Sequence, residues 1–147
     1  MKSKNKAKAV VASVTVLLVE DDAWLADIET LALRQAGYTV IHSSNARSAM
    51  DEIEKTVPDV IVLDVLLPGS TAFALLNELQ SYDDTQKIPI VLCTNIAEQF
   101  SQFPVDKYGV QRVVNKTTMT PDDIVVAVKY VVNNRVNKEV EYADASH

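Results

Sequence analysis

Four short apolar runs in this chain each stop at a polar residue, and that repeated ending constrains the fold more than any other feature. Val60-Ile61-Val62-Leu63 stops at Asp64, Val14–Val19 at Glu20-Asp21-Asp22, Ile90–Cys93 at Thr94, and Val113-Val114 at Asn115-Lys116. Runs this short and this apolar read as strands buried on both faces, the condition of a parallel sheet covered by helices. In such sheets ligands sit outside the carboxyl ends of the strands. If the four runs lie parallel, one rim collects two or three acids, a hydroxyl and an ammonium. That set suits a divalent cation and the acceptance of a phosphoryl group.

The segments between the runs carry helical signals. Trp24, Leu25, Ile28, Leu31, Ala32 and Ala36 recur at helical spacing, and Gly37 stops that helix. Tyr38–His42 reads as a short strand. Asn45 is placed to cap a second helix through about Thr56, with Ala46, Ala49, Met50 and Ile53 on one face. Pro58-Asp59 turns the chain into the run that ends at Asp64. After the loop Pro68-Gly69-Ser70, a helix is expected from about Thr71 to Ser81. Ile96–Phe103 has the composition of a short helix closed by Pro104. Arg112–Asn115 reads as a fifth strand. Thr120-Pro121-Asp122-Asp123 is a helix start: a capping hydroxyl, proline in the first turn, then acids near the positive helix end. That helix is expected to reach about Asn134, with a flexible polar tail at 135–147. Five strands alternating with five helices make an α/β fold, a doubly wound five-stranded parallel sheet.

Length and charge narrow the function. At 147 residues the chain is one domain with a sizeable core. A net charge of −6 argues against direct nucleic-acid binding, which needs a basic face. The lone cysteine, Cys93, lies inside an apolar run and reads as a small core residue, compatible with a reducing cytosol. Lys2, Lys4, Lys6 and Lys8 before the apolar stretch Ala9–Val19 imitate a secretory signal. The stretch runs into Glu20-Asp21-Asp22 without a clear small-residue cleavage site, and its Val-rich half is what a buried first strand requires. A disordered basic leader at 1–12, ahead of a domain at 13–134, is the better account. No apolar run reaches the roughly 18 residues needed to span a bilayer, so no membrane role is expected.

Each rim residue has an ordinary reading beside its chemical one. Asp22 is explained by capping the first helix. Lys116 alone is a surface lysine, and Thr94 alone is the end of a strand. Capping does not explain why acids end two separate strands. Glu20, Asp21 and Asp64 are hard oxygen ligands, suited to Mg2+.

Taken together these segments resemble the receiver domain of two-component response regulators, over about Val14 to Asn134. Val16-Leu17-Leu18-Val19-Glu20-Asp21-Asp22 resembles the family's first strand and acidic pair. Pro58 to Gly69 resembles its phosphoacceptor segment, and Pro89-Ile90-Val91-Leu92-Cys93-Thr94 its strand with the switch hydroxyl. Lys116 stands where the family's lysine does. The resemblance implies a CheY-like, flavodoxin-like (βα)5 fold and a cytoplasmic phosphorelay module rather than a metabolic enzyme. Asp64 would take a phosphoryl group from a sensor histidine kinase or a histidine phosphotransfer protein. Mg2+ would be bound by Asp21, Asp64 and the backbone carbonyl of Leu66, and by Glu20 through water. Thr94 and Lys116 would hold the phosphoryl oxygens, and the switched surface would bind a downstream protein. Leu66 and Ile96 resemble the positions flanking the phosphoryl group. Both are apolar and unable to orient an attacking water, which implies a long-lived phosphorylated state.

The chain also departs from the family's pattern. Val113 stands where Tyr or Phe is usual, Thr117 where Pro is usual, Asn95 where a small residue is usual, and Ala72 where glycine is common. These changes leave the acceptor chemistry in place and put the output switch in question. The alternative is a pseudo-receiver, a protein-binding module independent of phosphorylation. A haloacid-dehalogenase-type phosphatase also uses an aspartate after a strand, but needs a second aspartate where this chain has Leu66. The last helix carries Ile124, Val125, Val126, Ala127, Val128, Val131 and Val132, too many apolar residues for one buried stripe. A protein contact there, such as a homodimer, is therefore expected, with Val126 facing outward beside Tyr130.

Overall fold

The alternation of apolar runs and amphipathic segments folds into a single parallel sheet with helices on both faces. The computed structural model describes residues 13–64, 71–95 and 105–145. The strands are β1 (Thr15–Val19), β2 (Thr39–Ser43), β3 (Val60–Asp64), β4 (Ile90–Thr94) and β5 (Val110–Asn115), in the spatial order β2-β1-β3-β4-β5. Among the described residues four α-helices connect them: α1 (Ala23–Gln35), α2 (Ala46–Lys55), α3 (Thr71–Gln80) and α4 (Pro121–Ala145), with a 3-10 helix at Val105–Tyr108. The short helix expected within 96–103 lies outside the described residues. All strand pairs are parallel. The chain leaves β1 toward β2 and returns to β3 on the other side, so the order reverses between β1 and β3. A doubly wound sheet opens its binding crevice at that reversal.

Alternation along each strand separates two cores. Leu17, Val19, Ile61 and Leu63 face α2 and α3, where Ile53, Leu75 and Leu79 meet them. Val16, Leu18, Val60 and Val62 face α1 and α4, joined by Leu33, Ile124 and Val128. Cys93 belongs to this second core, as its apolar surroundings in the sequence suggest, and burial pushes its thiol well up. No helix among the described residues is long and apolar enough to cross a membrane.

Local chemistry sets the helix ends. The Asp22 carboxylate accepts from Leu25 N–H at 3.0 Å, and the Asn45 amide oxygen from Ser48 N–H at 2.8 Å, each satisfying an orphan donor. Gly37 closes α1 at φ +100, where L side chains are strained. At the start of α4 the Asp123 carboxylate reaches back to Thr120 N–H at 2.8 Å, half of a capping box.

Three elements differ from the sequence reading. The buried face of α1 runs through Ala26, Glu29 and Leu33, while Trp24 and Leu31 are exposed. The stripe at 26, 29 and 33 has helical spacing but contains an acid, which hides it from hydrophobic periodicity. β5 begins at Val110 rather than Arg112. The register with β4 shifts between Ile90 and Val91, so Gln111 is taken up as a bulge. Helix α4 passes the expected boundary near Asn134 and continues to Ala145. Residues 135–145 contain neither proline nor glycine and include Lys138, Glu139, Glu141 and two alanines, so no stop signal interrupts it. Within α4, Ile124, Val128 and Val131 are fully buried, whereas Val126 is 59% exposed and Tyr130 faces outward with it, as expected.

Candidate functional site

The strand registers bring the rim residues together. Val19 pairs with Leu63, so Glu20 and Asp64 follow as neighbours on adjacent strand tips. Asp64 pairs with Cys93, and Thr94 with Asn115, which carries Thr94 and Lys116 to the same edge. The ladder extends one step past β5, where Lys116 N–H donates to Thr94 O at 2.9 Å. This anchors the lysine backbone and leaves its side chain to cross the rim.

It crosses to both buried acids. Lys116 Nζ lies 2.5 Å from Asp64 Oδ2 and 2.9 Å from Glu20 Oε1. Asp64 and Glu20 are 3% and 2% exposed, and Thr94 is wholly buried. Asp21 stands on the solvent side. Glu20, Asp21 and Asp64 each offer a carboxylate oxygen, and these oxygens lie within 4.8 Å of one another. Three hard oxygen donors at that separation fit a small divalent cation, which would also relieve their mutual repulsion. The structure therefore joins four of the side chains expected at the site, Glu20, Asp21, Asp64 and Lys116, and brings Thr94 to the same rim through its backbone bond to Lys116. Leu66, whose carbonyl was expected among the ligands, lies outside the described residues.

The electrostatics follow from burial and crowding. Burial raises Glu20 well above the ordinary carboxyl range, a hydrogen bond with Asp64 adds to the shift, and Lys116 opposes it. For Lys116, burial works against the charge. Hydrogen bonds to Asp64 and Glu20 and their negative charges outweigh it, and the ammonium is held above its usual range. The resting site is thus three acids and one firmly protonated lysine.

Neighbouring residues fix this set. Asp22 caps α1, and its own N–H donates to Glu20 Oε2 at 3.4 Å. Glu20 N–H donates to Ser43 O at 3.0 Å. At Thr117, where the family usually has proline, the turn is held by Thr117 N–H donating to Asn115 Oδ1 at 3.0 Å.

Two residues near the site escaped the sequence reading. His42 Nε2–H donates to the Glu20 carbonyl oxygen at 2.7 Å and steadies the β1 tip from β2. Its signal was its place at the end of a strand adjacent to β1. Glu29 is 2% exposed, and its Oε1 has no hydrogen-bond partner. Burial pushes it up to about 7; Lys116 opposes the shift, and Asp64 and Asp22 add to it. Its signal was the helical spacing of Ala26, Glu29 and Leu33.

Known proteins match the chain in sequence and fold. The family model of the response regulator receiver domain covers residues 16–129. The phosphate regulon transcriptional regulatory protein PhoB of Pseudomonas aeruginosa is 30% identical over 118 residues, 80% of this chain and 51% of that protein. A probable transcriptional regulatory protein, TcrX, of Mycobacterium tuberculosis is 36% identical over 81 residues, 55% of this chain and 34% of that protein. The chain thus spans about half or less of the length of these relatives. The crystal structure of a putative response regulator from Chloroflexus aurantiacus superposes with a TM-score of 0.72 at 30% identity, covering 83% of this chain and 99% of that one. The chemotaxis response regulator CheY4 of Vibrio cholerae gives 0.74 at 22% identity, covering 82% and 99%, a likeness of fold. With the family model spanning nearly all of both cores and every strand tip of the site, this chain belongs to the response regulator receiver domain family.

Proposed function

We propose that the protein is a phosphoaccepting switch in which Asp64 takes a phosphoryl group from a phosphohistidine of a sensor kinase or phosphotransfer protein. The observation that carries this reading is the convergence of Lys116 Nζ on Asp64 and Glu20, with Asp21 beside them. An Asp64 oxygen attacks phosphorus, the P–N bond breaks, and the imidazole leaves with the electron pair. Asp21, Asp64 and the Leu66 carbonyl would hold Mg2+, with Glu20 reaching it through water. The cation would neutralise charge on the phosphoryl oxygens. Lys116 leaves its acid partners to hold one of those oxygens, and the Thr94 hydroxyl holds another. Phosphoryl transfer asks a protein chiefly for such positioning and charge neutralisation.

Two exposed surfaces suit partners. Trp24, 72% exposed, stands in the first turn of α1 beside the acidic tip, where an aromatic anchor serves a docking phosphodonor. At the β5 edge of the sheet, Arg112 stacks over the Tyr130 ring at 4.0 Å, next to exposed Val113 and Val126. That face suits a downstream protein or a second copy. One observation favours a phosphorylation-independent module instead: Val113 is aliphatic and part-exposed, so no aromatic ring can turn inward there.

Incubation with acetyl phosphate, with and without Mg2+, tests the proposal. Wild type is expected to gain one phosphoryl group only with the cation, and Asp64→Asn none. Labelling of the variant at wild-type stoichiometry would refute the acceptor assignment. Absence of labelling in wild type, with partner binding retained, would establish the phosphorylation-independent module.

A further inference from the structure

The amino ends of the strands carry a second feature that the acceptor chemistry does not use. A groove of about 360 Å3 opens between α2, α3 and the loop after α3. Its apolar lining is Met50, Ile53 and Val57, with the Tyr82 ring beside them in the lining. Val57 and Tyr82 are 46% and 55% exposed, large apolar surface for the tip of a loop. Its rim is acidic: Glu54, Glu78 and Asp84 line it, and no cation is among the lining residues. The nearest lysine on α2, Lys55, is turned to Glu52 at 3.6 Å. The groove is preformed. Thr85 is buried, and its hydroxyl donates to Leu79 O at 2.7 Å, which fixes the turn bearing Tyr82 and Asp84.

The chain enters the fold beside this groove. Thr15 N–H donates to Asp59 Oδ2 at 2.8 Å, and Asp59 N–H returns to Thr15 O at 2.9 Å. Asp59 is two residues from Val57 in the groove lining. The segment that precedes β1 has the complementary chemistry: Lys2, Lys4, Lys6 and Lys8, then Ala9-Val10-Val11-Ala12, with no acid. Twelve residues can extend about 40 Å, ample to cross the groove from Thr15. Its tether also holds the segment at a high effective concentration.

We propose that this groove is the docking site of the chain's own basic segment, residues 1–12, with its valines over the apolar lining and its lysines against Glu54, Glu78 and Asp84. The contact needs neither phosphorylation nor Mg2+ and stands apart from the reading of Asp64. It is electrostatic at its rim, and so weakens with salt.

The full-length chain carrying a nitroxide at Asn5→Cys provides the test, because Cys93 is buried and escapes labelling. Amide signals of Val57, Tyr82, Asp84 and Thr85 are expected to lose at least half their intensity. The loss should fade at about 1 M salt, where the Debye length is about 3 Å. The exposed reversals Glu54→Lys and Glu78→Lys should abolish it, and adding Lys4→Glu and Lys6→Glu should restore it. Three outcomes would overturn the proposal. One is undiminished groove signals in the labelled chain, and another is broadening that survives the reversals. The third is broadening passed from a spin-labelled copy to an isotope-labelled one, which would make a second chain the occupant.

Discussion

Replacing Glu29 by glutamine should change how stability depends on pH far more than it changes stability itself. Glu29 is 2% exposed on the inner face of α1, between Ala26 and Leu33, with Oε1 lacking a hydrogen-bond partner. Burial, aided by Asp64 and Asp22 against the pull of Lys116, raises it from 4.5 to about 7. A carboxyl raised on folding contributes fully when both states are protonated, below about 4.5. It loses that contribution as pH climbs to about 7, because the unfolded chain ionises first. Across that window the wild-type protein should lose about 3 kcal/mol through this one group. Glutamine does not titrate. The variant's buried amide imposes a fixed cost, so the curves should differ by a constant near pH 4 and converge or cross by pH 8. Glu20, raised in the same direction, is present in both proteins and cancels in the difference. Urea unfolding at one-unit pH steps reads the effect directly. Parallel stability curves from pH 4 to 9, with a constant offset, would show that Glu29 is ionised in the fold and that its burial is compensated by a partner.

Other side chains lend themselves to equally direct tests. Asp22→Ala should lower stability by about 0.5–2 kcal/mol by uncapping α1 while leaving Mg2+ affinity close to wild type. Asp21→Ala should do the reverse; thermal melts and metal titration separate the two, and equal metal affinity would refute the division. Val126→Lys should weaken any association through the α4 face, seen by sedimentation with and without phosphodonor. A monomer in both states, with kinase binding unaffected by the substitution, would dismiss that surface. Leu66→Asn with Ile96→Glu should speed decay of the phosphorylated protein by giving an attacking water hydrogen-bond partners. Decay no faster than wild type would assign the lifetime to other groups.

The sequence made the fold legible where apolar runs are uniform. β1, β3 and β4 are buried along nearly their whole length, so composition alone marks them. The site was legible for the same reason, since a polar residue ending such a run has only the rim to occupy. Legibility failed where one position answers to two demands. Glu29 interrupts the apolar stripe of α1, so periodicity pointed instead to Trp24 and Leu31, which are exposed. β5 hid its start because Gln111 is absorbed by a bulge, which no side-chain pattern announces. The end of α4 was set by the absence of a stop signal rather than by the polarity of the segment. His42 touches Glu20 through a backbone oxygen, and backbone partners leave no trace in residue types.

The ion pair of Lys116 also bears on the order in which the protein comes apart. Among the described residues β5 lies at the sheet edge and pairs with β4 alone. Edge strands are the natural place for local opening at a fraction of the global unfolding free energy. Here the strand is tied at its carboxyl end to the centre of the sheet, because Lys116 bridges to acids on β1 and β3. Opening β5 would take away the ammonium that bridges the buried acids Glu20 and Asp64, a heavy penalty in so dry a place. The lysine therefore acts as a clasp that couples the edge to the middle. Whatever draws Lys116 away from Glu20 and Asp64 also loosens the hold on the last strand and the helix that follows it.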